Sequence, residues 1–335
     1  MASPKFWKEQ VRPRWKRLWL GVTGRRPVIR RRVLAAGAAD VPFLPLDSPA
    51  GCDFDYPGRP ASGRPADRLS SCLCIESQLT SPAFAYWLDQ IGVKPRMHRK
   101  LWEQAYLLQA LYERGLLAPG KRGLGFAVGE EPLPRMFAER GCEIVATDLD
   151  QADQRAQAWR ETNQHMSSVA VAGQIVRGSS GGDTGSVQYR HVDMNHIPED
   201  LTGFDFTWST CSFEHCGSLR LGQEFIWNQM RCLKPGGVAI HTTEFNLTSN
   251  RRTIDNRSTV IFRRQDIEAM VRELVSQGHH VEPISLDPGQ QRFDRHIDWP
   301  PYTQDRHLRL MLKRYAATSI GLIIRKNAAV AERRA

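Results

Sequence analysis

The spacing of apolar positions changes about a third of the way along the chain. From about residue 96 it becomes regular. Leu101, Ala105, Leu108, Leu111 and Tyr112 recur at helical intervals and predict a helix ending near Gly115. Beyond it, strand-like runs occupy 122–128, 142–148, 187–194, 204–210, 237–245, 279–286 and 318–326. Helical faces fall between most of them, one from Leu219, Ile226, Met230 and Leu233, another from Ile267, Met270, Val271, Leu274 and Val275. Strands that alternate with helices predict an α/β protein, doubly wound, with a mostly parallel sheet covered on both faces.

The first third reads differently. Val11, Trp15, Leu18, Trp19 and Val22 share one helical face, with Arg14, Lys16 and Arg17 on others. This short amphipathic helix has two readings. It can anchor at an anionic membrane surface, with Trp rings at the headgroups, or it can dock on its own protein. Residues 48–67 hold four Pro and three Gly without periodicity and predict an irregular segment. The expected organisation is a basic extension over 1–34, a connector and helical cover over 35–95, a catalytic domain over 96–328 and a tail over 329–335.

Charge sharpens this division. The chain of 335 residues has a net charge of +10. Residues 1–34 hold eleven of the 46 Lys and Arg and one of the 36 Asp and Glu, which leaves 35 of each sign for the rest. A neutral body argues against nucleic acid as partner. No apolar run reaches membrane-spanning length, and no apolar h-region follows the basic start, so neither a span nor a secretory leader is expected. Seven scattered cysteines without zinc-finger spacing suggest a reduced, cytoplasmic setting, at the inner face of a membrane if the tail anchors there. No metal is expected.

The chemistry starts at GLGFAVG, 123–129, at the end of the first strand. Asp148 ends the second strand, 19 residues after Gly129. Glycines admit a ligand close to the backbone, and a carboxylate at the second strand's tip can accept hydrogen bonds from both hydroxyls of a ribose. A dinucleotide would set its pyrophosphate at the next helix N-terminus. That position holds Glu130 and Glu131, which repel phosphate and suit a cationic cofactor such as S-adenosyl-L-methionine.

With these features the chain resembles a class I S-adenosylmethionine-dependent methyltransferase over roughly residues 96–328. DMNHIP at 193–198 resembles the family's third-strand motif, and FDFTWSTCSFEH at 204–215 its fourth strand and following turn. MRCLKPGGVAIHTTEFN at 230–246 resembles the helix, Lys-Pro-Gly-Gly turn and fifth strand, and TSIGLIIRK the seventh strand. The resemblance implies a seven-stranded sheet with its last strand antiparallel. It carries cofactor contacts onto Gly125, Ala127, Gly129, Glu130, Asp148, Leu149, Asp193, Met194 and Ser209. Two departures stand out. Gly123 occupies the place of the family's acid, so Glu130 is the expected substitute partner for the methionine ammonium. Ala127 replaces the middle glycine, a mild change if its φ stays negative.

Methyl transfer is an in-line displacement at a sulfonium carbon, and a hydroxyl acceptor also needs a base. His215 is the first candidate, with Glu214 and His241 beside it. For Glu214–His215 a structural turn pair is an equal reading, and His241 lies within a buried strand. Glu244 and Asn246 at the fifth strand's tip, Arg251, Trp299 and Tyr302 are the expected acceptor contacts. The Asp/Asn-Pro-Pro-aromatic motif of nucleic-acid amino methylation is absent, and Cys211 lacks the preceding proline of cytosine methylation. The expected reaction is O-methylation of a small molecule or saccharide, lipid-linked if the tail binds membrane. An NAD(P)-dependent oxidoreductase and an inactive methyltransferase-fold scaffold remain as alternatives.

Overall fold

A computed structural model describes residues 68–161, 164–166, 175–177, 185–303 and 305–328. The predicted amphipathic helix of residues 1–34, the irregular 48–67 segment and the 329–335 tail lie outside the described residues. In chain order the elements are β1 (Ser71–Leu73), α1 (Glu76–Leu79), α2 (Pro82–Ile91), β2 (Met97–His98), α3 (Arg99–Tyr112), β3 (Arg122–Gly125), α4 (Leu133–Ala138), β4 (Glu143–Asp148) and α5 (Gln157–Glu161). Then come β5 (Ile175–Arg177), β6 (Ser186–His191), β7 (Phe204–Thr210), a 3-10 turn (Phe213–His215), α6 (Leu219–Gln229), β8 (Leu233–Asn246) and α7 (Arg264–Ser276). The chain closes with β9 (His280–Val281), β10 (Ile284–Ser285), β11 (Arg306–His307), β12 (Leu310–Leu312) and β13 (Tyr315–Arg325).

The main sheet runs β10-β1-β13-β8-β7-β3-β4-β6-β5. Its centre, β6-β4-β3-β7-β8, is parallel, and β13 lies antiparallel beside β8. Parallel neighbours need crossovers, and these put helices on both faces. Phe225 and Ile226 of α6 and Ile267, Met270, Val271 and Leu274 of α7 are buried on one face. Phe84, Trp87 and Leu88 of α2, most of α3, and Leu133 and Phe137 of α4 are buried on the other. Tyr112, counted with the apolar face of α3, is instead 62% exposed at the helix end.

Two edge features depart from the predicted strands. The 279–286 run is split: β9 pairs with β13, while β10 pairs with β1. Pro283 sits between the two pieces and has no N–H for a ladder. Strand β1 then enters from the segment read as connector and cover, antiparallel to β13. Tyr106 of α3 anchors it, donating its hydroxyl to the Ser70 carbonyl at 2.8 Å. The Tyr106 ring fills the space beside Gly321, where a Cβ would lie 2.3 Å from it. Among the described residues no helix is long and apolar enough to cross a membrane.

Candidate functional site

The carboxyl ends of β3, β4, β7 and β8 converge, as ligand clefts do in open α/β sheets. The turn after β3 is tightly built. Ala127 has φ +48° and Gly129 φ +52°. The condition under which Ala127 would be a mild replacement is therefore not met: it takes the left-handed conformation that a glycine would adopt more easily. A Cβ on Gly125 would meet the Trp208 ring at 2.3 Å, and one on Gly129 would meet the Gln164 carbonyl oxygen at 2.2 Å. Both glycines are thus required by close approach.

Glu131 faces this turn. The Trp208 indole N–H donates to its Oε1 at 2.7 Å, and the Thr210 hydroxyl donates to its Oε2 at 2.5 Å. Burial pushes its carboxyl up to about 7, although the hydrogen bonds from Thr210 and Trp208 pull the other way. Glu130, the expected ammonium partner, lies half-buried in the turn just before it. The sequence offers Glu131 as one of two acids that repel phosphate and suit a cationic cofactor, without separating it from Glu130. Its distinction comes from the pleat, because Trp208 and Thr210 share a face of β7.

The same pleat corrects two assignments. Ser209 points to the opposite face, is fully buried and pairs its Oγ with His241 Nδ1 at 2.8 Å. His241 lies edge-on to Phe213 and Phe225, and burial lowers its pKa to about 3. Ser209 is therefore a core residue rather than a cofactor contact, and His241 a core histidine rather than a cleft base.

Asp148 ends β4 with one carboxylate oxygen accepting the Leu149 N–H at 2.9 Å and the other the Met166 N–H at 3.1 Å. Burial raises its pKa, against a favourable His165 and hydrogen bonds from Met166, Leu149 and Gly129. The Leu149 carbonyl bonds His165 Nε2 at 2.8 Å, so Gln164–Met166 closes over this corner. Asp193 is half-buried, accepting from Asn195 N–H at 2.9 Å and Arg155 at 2.8 Å. Burial raises its pKa, but Arg155, Asn195 and His196 outweigh that and leave it low. Met194 packs on the core beside it.

Across the cleft, the 3-10 turn after β7 carries Glu214 and His215. The Ser258 carbonyl, which can only accept, lies 2.7 Å from His215 Nδ1. Nδ1 therefore holds the proton and Nε2 a lone pair. Burial lowers the His215 pKa to about 4, so the ring is neutral near pH 7. Its ring and that of Trp159 meet edge to face, with centroids 4.5 Å apart.

Beneath His215 lies an ionic cluster built from distant parts of the chain. Arg99 opens α3 and reaches Glu244 of β8 in a buried ion pair. It also meets Glu103 one helical turn on, at 3.1 Å. Lys100 pairs with the other Glu103 oxygen at 3.2 Å. Glu103 Oε1 further accepts from Cys211 Sγ at 3.0 Å and from the Ser319 hydroxyl. Glu214 Oε2 accepts from Thr243 at 2.9 Å. Glu214 and Glu244 are 1% and 3% exposed, and burial raises both pKa values. Arg99, Lys100 and Glu103 are not among the expected site residues, since nothing in the sequence ties the start of this helix to β8.

The expected acceptor contacts are divided. Asn246 is 1% exposed and fully used: its amide donates to the Arg252 carbonyl and Thr253 hydroxyl, and its oxygen accepts from Thr248 and Ser249 N–H. With both donors and both lone pairs engaged it organises the 246–253 loop, which corrects its reading as a substrate contact. Arg251 is exposed on that loop, and Trp299 is 50% exposed. Tyr302 donates to the Met311 carbonyl at 2.8 Å, with its ring edge on His307. His307 in turn bonds Asp298 at 2.7 Å and lies over His98, ring centroids 4.8 Å apart.

Residues 124–241 match the family model described as a methyltransferase domain. Over 115 residues the chain is 27% identical to the malonyl-[acyl-carrier protein] O-methyltransferase of Salmonella typhimurium, covering 34% of this chain and 36% of that protein. The match thus spans about a third of the relative's length. Among solved structures, a phosphoethanolamine N-methyltransferase of Haemonchus contortus bound to S-adenosyl-L-methionine is 15% identical with a TM-score of 0.40, covering 74% of this chain and 61% of that one. A SAM-dependent methyltransferase of Methanosarcina mazei is 11% identical with a TM-score of 0.41, covering 64% and 97%. The family match replaces the oxidoreductase alternative. Residues 124–241 are thus similar to a methyltransferase domain, and the parallel core with β13 antiparallel beside β8 has the sheet arrangement of the class I methyltransferase fold.

Proposed function

We propose that this chain transfers the methyl group of S-adenosyl-L-methionine to a hydroxyl of a small molecule or saccharide. The cofactor's ribose is held by Asp148 and its ammonium by Glu131, in place of the acid missing at Gly123. Both carboxylates border a turn whose neighbours disfavour phosphate, which fits a cofactor that is cationic and carries none. When bound, the cofactor supplies an electrophilic methyl on a positively charged sulfur. His215 takes the acceptor's hydroxyl proton at Nε2, while its Nδ1–H stays on the Ser258 carbonyl. The observation that carries this reading is the 2.7 Å contact of His215 Nδ1 with the Ser258 carbonyl, which leaves Nε2 as the basic nitrogen, with no hydrogen bond to it among the described residues.

Residues 1–34 add a location rather than a reaction. Their cations and Trp residues suit an anionic membrane surface, which makes a lipid-linked acceptor the natural extension. Deleting residues 1–34 should abolish liposome binding and lower activity on lipid-linked acceptors; unchanged values in both assays refute the membrane part. The methyl-transfer reading is tested by isotope-labelled S-adenosyl-L-methionine with a panel of hydroxyl and amine acceptors. Label transfer confined to amines would remove the hydroxyl assignment.

A further inference from the structure

Cys211, Glu214 and Glu244 bring a sulfur and two carboxylate oxygens within 4.8 Å of one another, and all three residues are buried. They come from the end of β7, the following 3-10 turn and β8, so no sequence spacing announces them. Cys211 turns inward because it adopts φ +44°, with its N–H held by Thr242 at 3.0 Å.

Among the described residues, each glutamate uses one oxygen on the protein and leaves the other unmet. Glu214 Oε2 is bonded by Thr243, and Glu244 Oε1 by Arg99. Among the described residues, Glu214 Oε1 and Glu244 Oε2 are buried without a hydrogen-bond partner. A buried, unsatisfied carboxylate oxygen is costly, and a bound cation is one way to satisfy it.

We propose that Cys211, Glu214 and Glu244 bind a divalent metal ion of the zinc type. Charge favours it. Glu103, Glu214 and Glu244 face Arg99 and Lys100, three carboxylates against two cations. Metal binding releases to solvent the Cys211 thiol proton that is otherwise donated to Glu103 Oε1 at 3.0 Å, and a divalent ion with the resulting thiolate brings the whole cluster to neutrality. The donor set is also selective, since a thiolate beside carboxylates suits zinc and not magnesium or calcium. Tetrahedral zinc sets sulfur and oxygen ligands roughly 3.6 Å apart. The three donors therefore close inward by about 1 Å, within reach of glutamate rotamers. Arg99 at 3.4 Å from Cys211 Sγ and Ser319 through Glu103 then act as the outer shell that orients the ligands. Three protein ligands leave one position for water or an acceptor oxygen.

The test uses the full chain, purified without chelator. Elemental analysis should find close to one zinc per chain, or the stripped protein should take up one equivalent of Zn²⁺. Co²⁺ should give a thiolate-to-cobalt charge-transfer band. Cys211→Ser should lose that band, Cys142→Ser should keep it, and Glu214→Gln should weaken Zn²⁺ binding by at least about tenfold. A folded wild-type protein that takes up neither ion overturns the proposal, as does a cobalt band that survives in Cys211→Ser. Where Cys211→Ser does not fold, the wild-type uptake and Glu214→Gln decide. S-Adenosylhomocysteine binding to the same samples reports separately on the methyltransferase reading.

Discussion

Trp208 donates its indole N–H to Glu131 across 2.7 Å, and so holds a carboxylate against the turn where the family's own acid is missing. Phe206 and Trp208 also explain that absence. Their rings fill the space beside Gly123 and Gly125, at 2.4 and 2.3 Å from where a Cβ would stand. A side chain at position 123 would displace the core, which fits the proposal that Glu131 supplies the carboxylate from the far side of the turn.

Glu131→Gln should weaken S-adenosylhomocysteine binding, because that ligand keeps the ammonium. Binding to the wild type should tighten as pH rises through about 7, where the Glu131 carboxylate forms. The variant should lose this dependence. Stability should move the other way. An acid raised on folding from 4.5 to about 7 favours the folded chain while protonated, fully below 4.5 and not above 7. Above pH 7 the ligand-free variant should therefore melt higher than the wild type. Calorimetry and thermal melts across pH 5 to 8 check both signs.

Asp148→Asn keeps the shape of the β4 tip but removes its charge. Loss of charge-assisted bonds to the ribose should weaken S-adenosylhomocysteine binding by about 1.5–3 kcal/mol for each. Unchanged affinity in a calorimetric titration would show that the ribose lies elsewhere.

His215→Asn should lower kcat by roughly 10²–10⁴ if the imidazole takes the proton. Cofactor affinity should stay near wild type. A loss seen only in cofactor affinity would make Glu214–His215 a structural turn pair instead.

Arg99→Met should destabilise the fold by about 3–5 kcal/mol, since Glu244 would be left buried without its guanidinium. Adding Glu244→Gln should recover part of that loss in denaturant unfolding. Strict additivity of the two changes would mean the pair is not coupled.

Ala127→Gly should be neutral to stabilising. Relief of the left-handed φ gains about 1–2 kcal/mol, and the freer unfolded glycine returns about 0.4–1 kcal/mol of it. A melt lower than wild type would contradict the φ of +48°.

The central strands and both helical layers were legible because buried parallel strands read as apolar runs, and their covering helices repeat at 3.6 residues. The glycine turn and Asp148 were legible for the same reason: they sit at strand ends that the runs define. Ser209 falls on the core face because a one-residue step along a strand reverses the face, and a strand buried on both sides shows no alternation to read, while His241 is the core histidine that its place in a buried strand implies. Asn246 looked like a cleft residue by position, yet its four hydrogen bonds go to its own loop. The cluster of Arg99, Glu103, Cys211, Glu214 and Glu244 spans 145 residues from Arg99 to Glu244. Only the packing of α3 against the carboxyl end of the sheet brings it together.

The most direct measurement is a calorimetric titration of the full chain with S-adenosylhomocysteine and, separately, NADPH. One-to-one binding of S-adenosylhomocysteine, weakened by Glu131→Gln and Asp148→Asn, with no binding of NADPH, is the predicted result. Binding of NADPH without S-adenosylhomocysteine, in a folded sample, would contradict the account.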